Sequence, residues 1–563
     1  MQRSQRFHCG LFLAAAALAG CSPDSATPPQ AARADPVDFR TSCNAAVQKD
    51  FNHAVTLLHH MTYNQARAAF RDIATRDPGC AMAQWGIAMT LFQPLWPTRP
   101  SAADLHLGWD AVRKNETGKP PTAREQAFID AAAAFFRDPD ATDYWRRIAR
   151  WEIATASVHA NFPEDREATA FYALALLASA RGGPTVQEHS QQAVDLLLPL
   201  LRERPDHPGA MHYIIHADDI PGRERNDIEI VHRYEWIAPD NPHALHMPTH
   251  IYTRLGDWDG VIRGNMRAAE ASLKFPAGDH GQFVWDEFPH TIEYLVYAYL
   301  QEGRDEDASA QIARLKATPN IEPTAKTAFH LASIPARYAL ERKDWTAAAA
   351  LVPREPASID WDRSPWPEAI TCFARGYGAV RTGDVDEARR AATRIQVLED
   401  RAGASGEDVF ARQIRTLRFE LAAWIAHTGQ DEESAISLMQ QAVEIEGATP
   451  KPAVTPAATL PASELMGDLM IEFGRWQEAA AAYRQSLQRF PRRFNGTLGV
   501  ARALAQAGDM EGAVEEYREL LRIAGRSTRP VLREARDYVE LHTAVSTTDN
   551  SNSYAFEPGR PHP

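Results

Sequence analysis

A short pattern near the C-terminus repeats after 34 residues. It consists of a glycine, an alanine and a tyrosine, at Gly474, Ala479, Tyr483 and again at Gly508, Ala513, Tyr517. In repeats of this period each unit is a pair of helices that buries its apolar face only against its neighbours. The glycine is expected to end the first helix in a left-handed conformation, and the small alanine allows the two helices to approach. The chain is therefore constrained to stack helical hairpins.

Looser copies of the pattern occur along the chain, at 63–78, 255–258, 302–304, 343–345 and 382–384. No segment shows the alternation of apolar and polar residues that is typical of a strand. We therefore predict an all-α fold, an α-solenoid of helical hairpins with Pro-rich insertions, preceded by a lipoprotein signal peptide.

The N-terminus has the layout of an export signal. Arg3 and Arg6 precede an apolar stretch that is too short to span a bilayer and that ends in Leu18-Ala19-Gly20-Cys21. This ending resembles a bacterial lipobox, in which cleavage leaves Cys21 as a lipid-modified N-terminus. Because Ser22 rather than aspartate follows, the resemblance implies the periplasmic side of the outer membrane. Membrane contact is then expected through the lipid anchor only.

Composition shifts divide the chain further. We predict, in order, a signal peptide (1–20), a flexible tether (21–42), N-terminal hairpins (43–92), a Pro/Trp-rich connection (93–122), central repeats with a His-rich face (123–352), further repeats (353–446), a Pro-rich loop (447–461), a C-terminal repeat pair (462–525), a terminal helix (526–543) and a disordered tail (544–563).

Charge and cysteine content exclude some classes of protein. A net charge of −14 without a basic run argues against nucleic acid as a ligand. Five Cys in 563 residues exclude a disulfide-dense scaffold. In an oxidising periplasm Cys43 and Cys80 have two alternatives, a disulfide or two buried free thiols.

Several segments carry a resemblance to a known family. They are 51–59 (FNHAVTLLH), 80–86 (CAMAQWG), 207–216 (HPGAMHYIIH), 242–251 (PHALHMPTHI), 293–301 (EYLVYAYLQ), 464–469 (ELMGDL) and 493–496 (RFNG). The chain resembles a widespread, largely uncharacterised family of bacterial exported tetratricopeptide repeat (TPR) proteins over most of residues 43–525. The resemblance implies the fold and its boundaries but supplies no activity.

Histidines are concentrated in the centre of the chain, where nine of the 20 lie in residues 207–290. His212 and His216 are four residues apart, so they share one face of a predicted helix. His243, His246 and His250 share a face of a second helix that starts at Pro242. In this helix Pro248 should produce a kink between His246 and His250.

A third helix, starting near Pro289, carries His290 and Glu293. In the hairpin interpretation the three His-bearing helices are the first helices of successive repeats, and helices at 225–238 and 257–274 are their partners. Such first helices neighbour one another along the inner surface of a solenoid.

This arrangement predicts a transition-metal site with His212, His216, His246, His250 and His290 as ligands and His243 and Glu293 as secondary candidates. Neutral imidazoles suit Zn, Cu, Fe or Ni, of which Zn, Fe or Cu is expected here. Asp218 and Asp219 are candidate ligands, proton-transfer groups or acceptors that orient an imidazole; Glu293 and Tyr294 are further catalytic candidates. The alternative is that these histidines are polar members of helix contacts or line a solvated groove.

Two functions from different classes follow from these patterns. The first is a lipid-anchored periplasmic binding scaffold, whose concave groove holds a protein, a peptide or a small molecule. The second is a metal-dependent enzyme of hydrolase or oxygenase type that uses the His cluster. Metal sensing or storage without turnover stays open as a third. The sequence leaves the choice between enzyme and scaffold undecided.

Overall fold

A computed structural model describes residues 36–96, 99–114, 121–141, 143–180, 184–278 and 280–551, with the backbone alone for 544–551. The predicted signal peptide, Cys21 and most of the tether lie outside the described residues, as does the end of the tail. Among the described residues, none of the helices combines the length and apolarity needed to cross a membrane.

Helices account for nearly all regular structure in the described part of the chain. The first group is α1 (Gln48–His59), α2 (Tyr63–Arg76), α3 (Ala81–Met89), α4 (Ala102–Arg113), α5 (Ala123–Phe136), α6 (Tyr144–Asn161), α7 (Arg166–Ser179) and α8 (Pro184–Glu203). The central group is α9 (Pro208–Asp218), α10 (Ile228–Tyr234), α11 (Pro242–His246), α12 (Pro248–Leu255), α13 (Trp258–Ser272), α14 (Glu287–Gln301), α15 (Asp305–Ala317), α16 (Ala325–Glu341) and α17 (Trp345–Ala349).

The C-terminal group is α18 (Pro365–Thr382), α19 (Val385–Ala404), α20 (Asp408–Thr428), α21 (Glu432–Ala448), α22 (Ala462–Glu472), α23 (Trp476–Arg489), α24 (Phe494–Ala507), α25 (Met510–Ile523) and α26 (Val531–Ser551). Short 3₁₀ turns occupy Ala45–Val47 and Trp361–Arg363. The described strands are two antiparallel pieces, β1 (Pro276–Ala277) and β2 (Phe283–Val284). The predicted all-α class is confirmed.

The C-terminal repeats follow the pattern that the sequence predicts. Gly474 and Gly508 adopt left-handed φ angles of 70° and 85° at the ends of α22 and α24. The ring of Tyr483 lies so close to Gly467 and Gly499 that a Cβ at either position would approach it within 2.8 and 2.5 Å. The tyrosine thus packs against both neighbouring helices, which requires glycine at those two positions.

Two of the predicted segments contain helices whose bounds the sequence did not give. The predicted 93–122 connection contains helix α4, which begins at a capping box formed by Ser101 and Asp104. The terminal helix begins at Val531 rather than at 526, and its backbone extends to Ser551, beyond the predicted end at 543. Near the N-terminus, Cys43 and Cys80 are joined by a disulfide.

The Pro-rich connection between α21 and α22, hereafter the 449–461 segment, crosses other helices of the fold. The buried guanidinium of Arg337 on α16 donates to Ala458 O at 2.6 Å and to Thr455 Oγ1 at 2.8 Å. The hydroxyl of Tyr294 on α14 lies 3.4 Å from Thr455 O. The connection is therefore more than a spacer before the C-terminal repeats, because it covers the inner faces of α14 and α16.

Candidate metal centre

Six histidines project from neighbouring first helices of the central repeats. His212 and His216 lie on α9, His243 and His246 on α11, His250 on α12 and His290 on α14. The helices contact one another in succession, α9 with α12, α11 with α14 and α14 with α16, as the hairpin interpretation predicts. The predicted partner helices are present as α10 and α13. The predicted kink lies at Met247, where α11 ends and α12 begins with Pro248.

The six histidines form two triads, and the division does not follow the kink, because His243 and His246 on α11 belong to different triads. In the first triad, His212, His216 and His243 offer nitrogen atoms that all lie within 4.8 Å of one another. In the second triad, His246, His250 and His290 do the same. The predicted secondary candidate His243 is thus a full member of a triad. The triads adjoin, since the rings of His243 and His246 are 6.1 Å apart, and those of His216 and His250 6.3 Å.

The first triad contains three ring nitrogens without partners. The Nε2 atoms of His212, His216 and His243 are buried and make no hydrogen bond to any residue that the structure describes. His212 Nδ1–H donates to the backbone carbonyl of His59 at 2.7 Å, and His243 Nδ1–H donates to Glu287 Oε1 at 2.9 Å. Because a neutral imidazole carries one N–H, these bonds leave lone pairs on the Nε2 atoms of both rings.

The second triad is oriented in the same way. His246 Nδ1–H donates to Asn265 Oδ1 at 2.7 Å, and the Asn265 amide nitrogen donates to Val261 O, which fixes the amide orientation. His250 Nδ1–H donates to Asp219 Oδ2 at 2.8 Å. The two Nε2 atoms therefore face each other with lone pairs, although they are only 2.9 Å apart. A cation between them would turn this repulsion into coordination.

His290 is oriented by a chain of hydrogen bonds. Glu293 Oε2 accepts from His330 Nδ1 at 2.5 Å, and His330 Nε2 then accepts from His290 Nδ1 at 3.1 Å. Glu293 is held in turn by Ser333 and Arg337. The chain leaves a lone pair on His290 Nε2. Carboxylate–histidine pairs of this kind fix the tautomer of metal-ligating imidazoles.

Burial favours the neutral form of five of the six imidazoles. Desolvation lowers the pKa of His212, His216, His246 and His290 well below its usual value, and neighbouring histidines lower it further. The pKa of His250 is lowered as well, chiefly by burial, with Asp219 opposing the change. Neutral imidazoles are the form that binds metal ions.

A cavity of about 20 Å³ lies where the triads meet. Its lining includes two histidines of each triad, namely His216, His243, His250 and His290, together with Trp96, Met247, Lys326, Ala453 and Val454. A volume of this size accommodates roughly one water molecule. The Lys326 ammonium is held in the wall by Glu287 at 2.5 Å and Asp286 at 3.3 Å. The cavity can therefore hold a single small ligand beside both triads and near a fixed positive charge.

The four predicted catalytic candidates occupy different positions. Asp219 orients His250 and is paired with Arg254 and Lys451. Glu293 orients His330, so it acts through another side chain and contributes no ligand atom to either triad.

The other two candidates differ in their contact with the triads. The carboxylate of Asp218 pairs with Arg223 at 3.0 Å, and burial followed by the charge of Asp227 raises the pKa of Asp218 to about 7. The Tyr294 hydroxyl lies 3.4 Å from His250 Nε2. Of the two, Tyr294 alone touches an imidazole of the triads in the described structure.

Sequence reasoning missed His330, Asn265 and Lys326. His330 lies on α16, the next first helix along the solenoid, beyond the 207–290 stretch in which histidines were counted. The sequence signal that could have identified His330 is that it is a histidine on this next first helix. Nothing in the local sequence distinguishes Asn265 or Lys326 from an ordinary helix residue.

A third buried cluster, His59, Glu167 and His207, also brings three potential ligands together but has no free nitrogen. His207 Nδ1 accepts from Ala210 N, so its Nε2–H donates to Glu167 Oε1 at 3.2 Å. His59 Nε2–H donates to Glu167 Oε2 at 2.6 Å, and its Nδ1 accepts from the Tyr213 hydroxyl at 2.9 Å. Every ring nitrogen is satisfied, so this cluster is explained as a structural hydrogen-bond network.

Comparison with known proteins bears on the fold. Residues 465–527 match the family model described as Tetratricopeptide repeat. The crystal structure of the APC/C hetero-tetramer Cut9–Hcn1 is similar at a TM-score of 0.26 and 13% identity, over 88% of this chain and 96% of that chain. A search of curated proteins gave no match. The described chain is a TPR-like helical solenoid, a scaffold of a kind suited to protein binding, with tetratricopeptide repeat sequence at 465–527.

Proposed function

We propose that this protein is a metalloprotein that binds two transition-metal ions in its adjacent three-histidine triads. The observation that carries the proposal is the set of three buried Nε2 atoms on His212, His216 and His243, which converge without a hydrogen-bond partner. A buried polar atom without a hydrogen-bond partner lowers the free energy of unfolding by about 1–3 kcal/mol, so three such atoms together would lower it considerably. Coordination of a metal ion would satisfy all three.

The donor set favours copper. All six ligands are imidazoles, and among the described residues carboxylates occur only behind them. Those carboxylates are already neutralised, Glu287 by Lys326 and Asp219 by Arg254 and Lys451. The centre therefore offers little negative charge to a divalent ion such as Fe(II), whose sites usually include a carboxylate ligand. Copper binds imidazole, leads the divalent affinity series and is also stable as a monovalent ion.

The surroundings support a centre that reacts with a small molecule. Three protein ligands for each ion leave coordination positions open, as in catalytic metal sites. The cavity between the triads provides room for one small ligand, with the ion pair of Lys326 and Glu287 at its wall. Tyr294 lies close enough to His250 to exchange a proton with a ligand in this region. We therefore place the metal-dependent enzyme ahead of the groove-binding scaffold, because the 449–461 segment fills part of the groove.

A second candidate function is recognition of a protein segment by the C-terminal repeats. A groove of about 640 Å³ lies among α18, α22, α24 and α26, and its wall includes Tyr377, Tyr483 and Tyr517. Aromatic side chains provide contact area at low entropic cost. This groove is formed by other helices than those bearing the triads, so the two functions are compatible.

The metal proposal predicts the metal content of triad variants. Untagged protein purified from the periplasm should contain about two equivalents of metal, and His212→Ala or His246→Ala should each retain about one. His212→Ala/His246→Ala should retain none. The exposed His106 provides a control, and His106→Ala should match the wild type.

Elemental mass spectrometry measures the content, and circular dichroism shows that each variant is folded. Wild-type protein with under about a tenth of an equivalent, and with no rise in melting temperature on adding Cu(I), Cu(II), Zn or Fe(II), would refute the proposal.

We further propose that the protein is lipid-anchored on the periplasmic side of the outer membrane. The proposal rests on the Leu18-Ala19-Gly20-Cys21 sequence, and a disulfide between Cys43 and Cys80 fits an oxidising compartment. Cys21→Ala should move the protein from the membrane to the soluble periplasmic fraction, as detected by fractionation and immunoblotting. Loss of fatty-acid labelling in the variant would be the matching chemical readout. Equal membrane association of both forms would contradict the anchor.

A further inference from the structure

Another pocket, of about 360 Å³ and distinct from the C-terminal groove, lies next to the proposed metal centre. It lies between the start of α16, the 359–367 segment and the start of α20. One wall is aromatic, with Phe329 and Trp366 at a ring distance of 4.6 Å and Trp366 stacked on Phe410 at 5.3 Å. Its size falls within the range of small-molecule sites, about 300–1,000 Å³.

The pocket and the central cavity share a wall. Val454, on the 449–461 segment, lines both the 360 Å³ pocket and the 20 Å³ cavity between the triads. The aromatic wall also reaches the centre, because the Phe329 ring is 5.3 Å from that of His330, which orients His290. Val454 therefore forms part of the boundary between the pocket and the cavity, and because the cavity is too small for an aromatic ring, a ring in the pocket would reach the triads only when this side chain moves.

The rim of the pocket offers both donors and acceptors. Ser364 is 4% exposed, and its hydroxyl makes no hydrogen bond with any described residue. Arg363 and Asp360, both exposed, also lack a side-chain partner in the described part of the chain. By contrast, Arg99 is already paired with Glu407 at 3.0 Å. A hydroxyl group both donates and accepts, so it suits this rim better than a carboxylate.

We propose that this pocket binds a single-ring aromatic hydroxy compound, of the phenol or catechol class, and delivers it to the metal centre as substrate. The ring would pack against Trp366 and Phe410, and its hydroxyls would bond to the rim. Delivery to the metal rests on the proposed function, whereas binding in the pocket does not. The substrate class of the centre is thus assigned from the pocket's aromatic wall and mixed rim.

The test uses the full-length protein and 4-methylcatechol as probe, in titration calorimetry without oxygen. We expect 4-methylcatechol to bind at one site, and trans-cyclohexane-1,2-diol and benzoate to bind at least about tenfold more weakly. Phe410→Ala should weaken 4-methylcatechol binding by roughly three- to tenfold. Phe419→Ala is the matched control, since Phe419 is also half-buried on α20 but lies outside the pocket.

The outcomes separate this inference from the metal proposal. Equal binding of 4-methylcatechol and the saturated diol, or equal effects of the two phenylalanine variants, would overturn the pocket assignment whatever the metal content. If the protein holds copper, 4-methylcatechol should change its absorption spectrum, and this change should disappear in His212→Ala/His246→Ala while binding remains. Copper-loaded protein that binds the probe without any spectral change would overturn delivery to the centre. Phe410-dependent binding in protein that never takes up metal would leave the pocket in place and refute the metal proposal.

Discussion

Metal-free protein is expected to lose several kcal/mol of its free energy of unfolding when the pH falls from 7.5 to 5.5. Burial lowers the pKa of each of six histidines, His60, His212, His216, His246, His250 and His290. In the unfolded chain the same side chains take up protons near pH 6.5. Below that pH the unfolded state binds more protons than the folded state, so stability falls as the pH is lowered. Each such histidine contributes about 1.4 kcal/mol in total between pH 7.5 and pH 5.5.

Urea unfolding followed by circular dichroism at several pH values measures this dependence. His60 provides a sensitive variant outside the triads, because burial lowers its pKa to about 3. His60→Gln should reduce the loss between pH 7.5 and 5.5 by about 1.4 kcal/mol, whereas exposed His106→Gln should leave it unchanged. A constant free energy of unfolding between pH 7.5 and 5.5 would contradict the neutral, buried state of the cluster.

Replacing Arg493 by methionine is expected to lower the free energy of unfolding by about 3–5 kcal/mol. The Arg493 side chain is fully buried at the start of α24. It donates to both carboxylate oxygens of Glu464, at 2.8 and 2.9 Å, lies 2.8 Å from Glu341 Oε1 and reaches the Tyr297 hydroxyl at 3.2 Å. Without the guanidinium, two carboxylates from α16 and α22 would be left buried and uncompensated.

Chemical denaturation of the single and combined variants separates lost pairing from lost packing. Adding Glu464→Gln and Glu341→Gln to Arg493→Met should recover part of the loss, since it removes the uncompensated charges. Arg475→Met is the control, because Arg475 forms an ion pair with Glu478 at the surface and should change stability little. An Arg493→Met loss no larger than that of the control would show that the buried network contributes nothing.

The helices that carry the candidate site could be predicted from sequence because their signals are local. Pro208 and Pro242 occupy the first turns of α9 and α11, and the i,i+4 spacing of His212 and His216 places both rings on one face. Pro248 likewise predicts the break at Met247.

The division into two triads could not be predicted, because it depends on the rotation of one helix against another. One residue of rotation is about 100°, enough to move His243 from one triad to the other or out of both. The side chains that orient the triads were missed for a related reason. His330 and Asn265 acquire their roles from contacts with other helices, and nothing in their neighbouring residues specifies those contacts.

The path of the 449–461 segment was also beyond sequence reasoning. Its prolines predict an extended connection but do not indicate which helices it packs against. That position is fixed by Arg337, more than a hundred residues earlier, whose guanidinium binds the carbonyl oxygens of Ala457 and Ala458.

The position of the 449–461 segment has a consequence for how the centre would be assembled during biosynthesis. All six triad histidines are in place once the chain has been made as far as α14, whereas Lys451 and Val454 arrive about 160 residues later. Because we propose that the chain is exported, this order would apply as it emerges in the periplasm, and the centre would stay uncovered until the 449–461 segment follows. A metal ion supplied in that interval would then be enclosed by the rest of the polypeptide. The enclosed ion would be released only when this segment detaches from Arg337. Each molecule would therefore be loaded with metal once.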